Sequence, residues 1–315
     1  VISADGHLEG PVDWAKYLPS KYKELAPRLV KREDGSEVWR LEYAGVSAEG
    51  LIGANVYSGL RYDMFTRQTA RSYHNPDGSL RPGCGGPAQR LREQDQDGID
   101  AEVLYFHGAA GMANSIKEKD PDAHRAYVRM YNDWVADYCS LAPDRLIGTC
   151  LIPQTGVDDA IAEIKRAKGL GFRAVCFQMW PNGSGEPAPE DDKFWDAALS
   201  IDMKLAPHQT WGAGIEPRSR EGVGPIGVIQ GQHFQGGRPS ITLAQLTLSG
   251  VLDRCPTLKI YIAETQAGWL APYLDWIDEF YQRWYTWHGI ELKKQPSQYI
   301  RDHIKFSFIT DRVGF

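Results

Sequence analysis

VISADGHLE, residues 1–9, is a short apolar strand that runs directly into an Asp-x-His pair. Side chains two apart on a strand point the same way, so Asp5 and His7 can address one metal ion together. Two later strand-like stretches end in residues able to complete such a site: KLAPHQ at 204–209 delivers His208, and KIYIAET at 259–265 delivers Glu264. Polar residues converging from the ends of several parallel strands are how a parallel barrel builds its site. The competing reading of the bare pair has Asp5 starting a turn and His7 capping the next element. Glu9 shares the parity of Asp5 and His7 just beyond the strand, where it could orient His7 from behind or join the ligands.

From about residue 100 onward, short apolar runs alternate with amphipathic stretches, the pattern of βα units around a parallel sheet. The expected strands are 1–7, 101–107, 146–153, 172–178, 204–209, 259–265 and 305–310. Between two of them, DDAIAEIKRAK at 158–168 sets Ala160, Ile161, Ile164 and Ala167 at helical spacing, with acidic residues at its start where they favour the helix dipole. Residues 10–95 depart from this rhythm. They are rich in Gly, Pro, Tyr and charge, with turn signals at 33–35, 75–78 and 82–86, and are expected to form a cap inserted after strand 1. A second irregular stretch, 211–239, reads as a lid or an ordered surface loop. The chain is therefore expected to be one α/β unit over 1–315, a (β/α)8 TIM barrel with a cap at 10–95. It counts seven strands where a closed barrel needs eight. Either a strand is hidden in the insertion or strand 8 is absent from the supplied sequence.

Other strand ends carry candidate substrate contacts. His107 closes the run at 101–106 ahead of a Gly-Ala-Ala-Gly loop that permits close approach, though a capping histidine would look the same. Gln178 and Trp180 follow the fourth strand and Trp211 follows His208; such aromatics could wall a pocket for a flat organic substrate or simply pack against the cap. The stretch 269–288 is loaded with Trp and Tyr at spacings of three and four, expected to be core or a contact between copies of the chain. His74, His124, His288 and His303 sit among polar neighbours and are expected to face solvent.

Composition narrows the partners. A net charge of −6 without a long Lys or Arg run argues against nucleic acid. No apolar run approaches the roughly 20 residues of a membrane span. Five cysteines without CxxC spacing argue against a disulfide framework or a zinc ribbon and fit a reducing cytoplasm. A small-molecule substrate remains.

Taken in order, SADGH (3–7), DQDGIDAEV (95–103), YNDW (131–134), APDRL (142–146) and LSGVLDR (248–254) make the chain resemble, over nearly its whole length, a known family. It is the amidohydrolase-related family that includes aminocarboxymuconate semialdehyde decarboxylases and resorcylate decarboxylases. The resemblance implies a (β/α)8 barrel with one divalent ion, held by an acid-or-His/x/His pair on strand 1, a His on strand 5 and an Asp on strand 8. Asp5, His7 and His208 match the first three. At the strand 6 position, a His acting as acid or base in the aminocarboxymuconate decarboxylases, this chain has Glu264. Asp311 is the acidic residue after the seventh strand, but its setting, TDRVG at 310–314, looks like the link between strands 7 and 8. The expected strand 8 ligand would then lie outside this sequence.

The function expected first is a metal-dependent hydrolase of a small cyclic or aromatic carboxylic acid derivative. A Zn2+ or Mn2+ ion would activate a water, and Glu264 would carry its proton to the leaving group. The alternative is non-oxidative decarboxylation of an aromatic or related unsaturated acid at the same site. A further alternative is an inactive barrel that binds a ligand without turnover.

Overall fold

The computed structural model describes residues 1–33, 35–52, 72–75, 77–209, 211–212, 237–308, 311 and 313–314. They belong to two units, 1–155 with 169–172 and 156–168 with 173–315.

The first unit opens with β1 (Ile2–Leu8). The segment after it holds a sheet that the sequence reading did not foresee: β2 (Arg28–Lys31), β3 (Glu37–Tyr43) and β4 (Val46–Leu51), joined antiparallel in that order. Ala44 and Gly45 turn β3 into β4 with φ of 50° and 83°, the left-handed pair that suits the twist of a two-residue hairpin. Trp39 on β3 is buried against Trp14 and Tyr73 and anchors this sheet. Helix α1 (Pro87–Asp97) starts on a proline and stops at Gly98, whose φ of 70° lets its N–H reach back to the last carbonyls. The chain then enters β5 (Ala101–Phe106), which lies parallel to β1. Helix α2 (Pro121–Cys139) is capped by the Asp120 carboxylate, which accepts from the Ala123 N–H. β6 (Leu146–Leu151) lies parallel to β5. Asn132 fastens α2 to β6 by donating to the Leu151 carbonyl and accepting from the Leu151 N–H, at 2.9 and 2.8 Å.

The second unit contains α3 (Val157–Gly169), β7 (Ala174–Cys176), α4 (Asp192–Ser200), β8 (Lys204–Leu205), α5 (Arg238–Leu248), α6 (Val251–Arg254), β9 (Ile260–Ile262), α7 (Leu270–His288), α8 (Pro296–His303) and β10 (Ile304–Phe306). Its strands run parallel in the order β7-β8-β9-β10. The expected helix at 158–168 is α3, and Ala160, Ile164 and Ala167 face its core. Counting both units, seven strands pair in parallel among the described residues, so the fold class is the α/β type expected. Each is shorter at its C-terminal end than the apolar run suggested, except β1. The 211–239 stretch lies largely outside the described residues, as do Ile309 and Thr310 of the last expected strand.

Two histidines expected at the surface are buried. His124 lies on the inner stripe of α2, its Nδ1 bonded to the Ala113 carbonyl at 2.8 Å and its Nε2 accepting from the Gln154 N–H at 2.9 Å. His303 ends α8 with its Nδ1 on the Leu258 carbonyl at 2.8 Å. Polar chain neighbours misled the expectation, because helical spacing, not adjacency, decides which face a residue occupies. No described helix is long and apolar enough to cross a membrane.

Candidate metal centre

In the first unit, β1 keeps the alternation that its sequence promised. Asp5 and His7 are half-buried on one face, while Gly6 and Leu8 between and after them are buried on the other. The pairing register with β5 shifts between Ser3 and Gly6, a local irregularity of the sort that re-aims strand side chains. Beneath it lies a charge pair. Glu102 on β5 accepts from Arg90 Nε at 2.7 Å and Nη2 at 3.0 Å, and from Gln94 Nε2 at 2.7 Å. A Cβ at position 6 would stand 3.0 Å from the Glu102 carboxylate and 3.1 Å from the Arg90 guanidinium, so glycine lets β1 sit directly on this pair.

His107 and His7 meet edge to face with ring centroids 5.8 Å apart. Glu9 is fully buried, with its carboxylate 3.4 Å from His107 Nδ1 and accepting from Trp39 Nε1 at 3.1 Å. The antiparallel sheet therefore reaches the C-terminal ends of β1 and β5, and Gly50 of β4 packs against the backbone of Gly108, just after His107. Trp39 had not been singled out from the sequence, and no local pattern marks it.

In the second unit, His208 continues β8 as a lone bridge beside Ala263, and its Nε2 lies 3.0 Å from Glu264 Oε2. The backbone is bent to allow this. Gln209, Glu264 and Gln266 have φ of 53°, 57° and 60°, in the left-handed region that L-residues other than Asn and Asp seldom occupy. The Gln209 N–H donates to the Ala263 carbonyl at 2.7 Å and the Glu264 N–H to Ser307 Oγ at 3.0 Å, bonds that hold the conformation. Strain of this kind collects where side chains must be aimed.

The first unit thus offers Asp5 and His7, and the second His208 and Glu264, residue types that can hold a divalent ion. Two imidazoles and two carboxylates suit Zn2+ or Mn2+. Asp311 is occupied otherwise: its carboxylate accepts from the N–H groups of Ala267, Gly268, Val313 and Gly314, which hold its pKa down at about 2. Trp180 and Trp211 are buried together, ring centroids 5.6 Å apart, in a cluster with Phe177 and Trp195. Gln178 precedes them in the chain and its carbonyl accepts from the Gly212 N–H.

Residues 39–311 match the family model described as Amidohydrolase. A gamma-resorcylate decarboxylase from Rhizobium sp. (strain MTP-10005) is 24% identical over 208 residues, 62% of this chain and 59% of the relative. The chain thus spans less than two thirds of that relative's length. The solved amidohydrolase map2389c from Mycobacterium avium subsp. paratuberculosis K-10 superposes with a TM-score of 0.66 at 15% identity, covering 98% of this chain and 83% of that one. A dihydroxybenzoic acid decarboxylase from Polaromonas sp. JS666, solved with bound manganese and the inhibitor 2-nitroresorcinol, superposes with a TM-score of 0.57 at 18% identity, covering 98% and 77%. These two structures share the fold described above.

Proposed function

The chain belongs to the amidohydrolase family, and from that premise we propose that it catalyses the non-oxidative decarboxylation of an aromatic carboxylic acid. The observation that carries this reading is that gamma-resorcylate decarboxylases are among the relatives the chain matches. Hydrolysis, expected first from the residues, is thereby corrected. The reason for the misordering is chemical: Asp, His and Glu around one ion serve water activation and carbon protonation equally well, so the donor set cannot rank them.

In this reading Asp5 and His7 from β1 and His208 after β8 are the ligands of one divalent ion. The ion would supply Lewis acidity and neutralise the negative charge of a bound hydroxy-acid. Glu264, within hydrogen-bond reach of His208, is the acid. Protonated, it gives its proton to the ring carbon that bears the carboxylate. The bond from that carbon to the carboxylate then breaks, its electron pair returns to the ring, and CO2 leaves; water reprotonates Glu264. His107, steadied by Glu9, and Gln178 position the substrate, with Trp180 and Trp211 stiffening the wall behind Phe177. The sheet at 28–51, seated through Trp39 and Gly50 on the ends of β1 and β5, serves as a cover over those strand ends.

The test combines elemental analysis with CO2 release from hydroxybenzoic acids that carry the carboxylate beside the hydroxyl. Asp5→Ala and His208→Ala should each lose the ion. Glu264→Gln should keep it while turnover falls by roughly 10²–10⁴, the size of a general-acid contribution. A metal-loaded wild type that releases no CO2 from any such acid would overturn the activity. Loss of the ion in Glu264→Gln would make Glu264 a ligand instead of the acid.

A further inference from the structure

Helix α7 (Leu270–His288) buries one side chain fully, Ile277, and turns a run of aromatics outward. Trp276, Phe280, Trp284 and Trp287 are 59, 56, 45 and 81% exposed. At 100° per residue these four fall on a single face, a stripe three turns long. By the usual area of such side chains they expose roughly 500 Å² per copy, a contiguous apolar patch large enough to mark an interaction surface.

We propose that α7 pairs antiparallel with α7 of a second copy of this chain about a twofold axis near residue 282. Three features select that occupant. The first is area: two such stripes facing each other remove about 1,000 Å² from water, the threshold for a specific interface. The second is self-complementarity. A twofold axis at this point sets Trp276 against Trp287 of the second copy and Phe280 against Trp284, aromatic on aromatic along the whole seam, as an isologous contact requires. The third is charge. Glu279 and Arg283 flank the stripe on one side, where they make an ion pair within the helix. The same axis brings Glu279 of each copy beside Arg283 of the other. The stripe is flanked by one acid and one base, Glu279 and Arg283, without the basic surplus of a membrane-surface helix, a balance that disfavours an anionic membrane as the alternative occupant.

Sedimentation of the 315-residue chain at micromolar concentration should show a dimer. Trp276→Glu and Trp284→Glu should each weaken it at least tenfold, while Ile241→Glu, an exposed apolar site on α5, should leave it intact. Glu279→Lys alone and Arg283→Glu alone should both dissociate the dimer, since each sets like charges across the axis. Mixing those two variants should restore it as a heterodimer, in which both cross-pairs are again opposite in sign. A role for the pair within one helix predicts no rescue on mixing. A monomeric wild type, a dimer indifferent to the aromatic substitutions, or failure of the mixed variants to associate would each overturn the proposal.

Discussion

Replacing Arg90 by Met tests whether the candidate centre depends on what lies under β1. Arg90 gives Glu102 two charge-assisted hydrogen bonds, of 2.7 and 3.0 Å, and both side chains are nearly buried. Methionine preserves the packed stem but removes the guanidinium, leaving the Glu102 carboxylate accepting from Gln94 Nε2 at 2.7 Å. Breaking one side of a buried pair costs about 3–5 kcal/mol, because the surviving charge is stranded in a poorly polar setting. With Gln94 still donating, the lower end applies, so Arg90→Met should lose about 3 kcal/mol, a factor of order 10² in the unfolding equilibrium. Urea unfolding, followed by midpoint and slope, measures this.

The companion variant, Arg90→Met with Glu102→Gln, removes the stranded charge and lets two amides face each other. It should recover more than half of the loss, a coupling of about 1.5 kcal/mol or more between neighbours. Because β1 packs so closely on the pair that a Cβ at Gly6 would stand 3.0–3.1 Å from it, the single variant should also bind divalent metal more weakly, through displacement of Asp5 and His7 on either side of Gly6. A single variant within 1 kcal/mol of wild type, or a double variant no better than the single, would refute the view that a compensated charge supports β1.

Three further outcomes follow from the same contacts. Asp311→Ala should lower the melting temperature at pH 7; since four backbone N–H groups depress the carboxyl to about 2 from an unfolded value near 4, this contribution is complete above pH 4 and vanishes as pH falls through 2, so the gap between variant and wild type should shrink over that interval. An unchanged gap at pH 2.5 would contradict the assignment. His124→Leu should cost about 2–4 kcal/mol in urea unfolding by orphaning the Ala113 carbonyl and the Gln154 N–H, and a loss under 1 kcal/mol would mean water replaces the ring. Burial raises the Cys139 thiol to about 12 and the Cys255 thiol to about 11, and Cys84, Cys150 and Cys176 are buried, so a disulfide reagent at pH 8 should titrate less than about one thiol per native chain and all of them after unfolding.

What could be read from the residues, and what could not, divides along a physical line. β5 and β6 are short, mostly apolar runs, and α3 repeats its buried Ala160, Ile164 and Ala167 at helical spacing, so local patterning suffices for both. The sheet at 28–51 escapes that test because β3 buries Val38 and Trp39 in succession, which erases the alternation of a half-buried strand. Its hairpin turns on Ala44-Gly45, without the Asn-Gly or Asp-Gly pair that signals such a turn. His124 was legible in principle: Ala123, Tyr127, Val128 and Tyr131 share its face of α2, and the stripe outranks the polar residues beside it in the chain.

The candidate centre divides the same way. Asp5 and His7 could be paired from sequence because a period of two survives the register shift, with Gly6 and Leu8 buried between and beyond them. Glu9 was identified as polar and near the strand end, but its contacts with His107 and Trp39 could not be read from the chain, because an inserted sheet with no local signature delivers the indole. Glu264 stood out as a carboxylate ending an apolar strand. Its contact with His208 did not, since that contact requires two consecutive strand ends to turn left-handed, at Gln209 and at Glu264 itself. A glutamate or glutamine held at positive φ costs of order 1–3 kcal/mol each and persists only where surrounding bonds over-determine it. Here the Ala263 carbonyl and the Ser307 hydroxyl do so, and neither adjoins the residue it restrains closely enough in pattern to be inferred from the chain alone. The identity of the reacting groups is thus a local property that residue type and strand period can reveal, whereas their mutual aim is set by tertiary bonds.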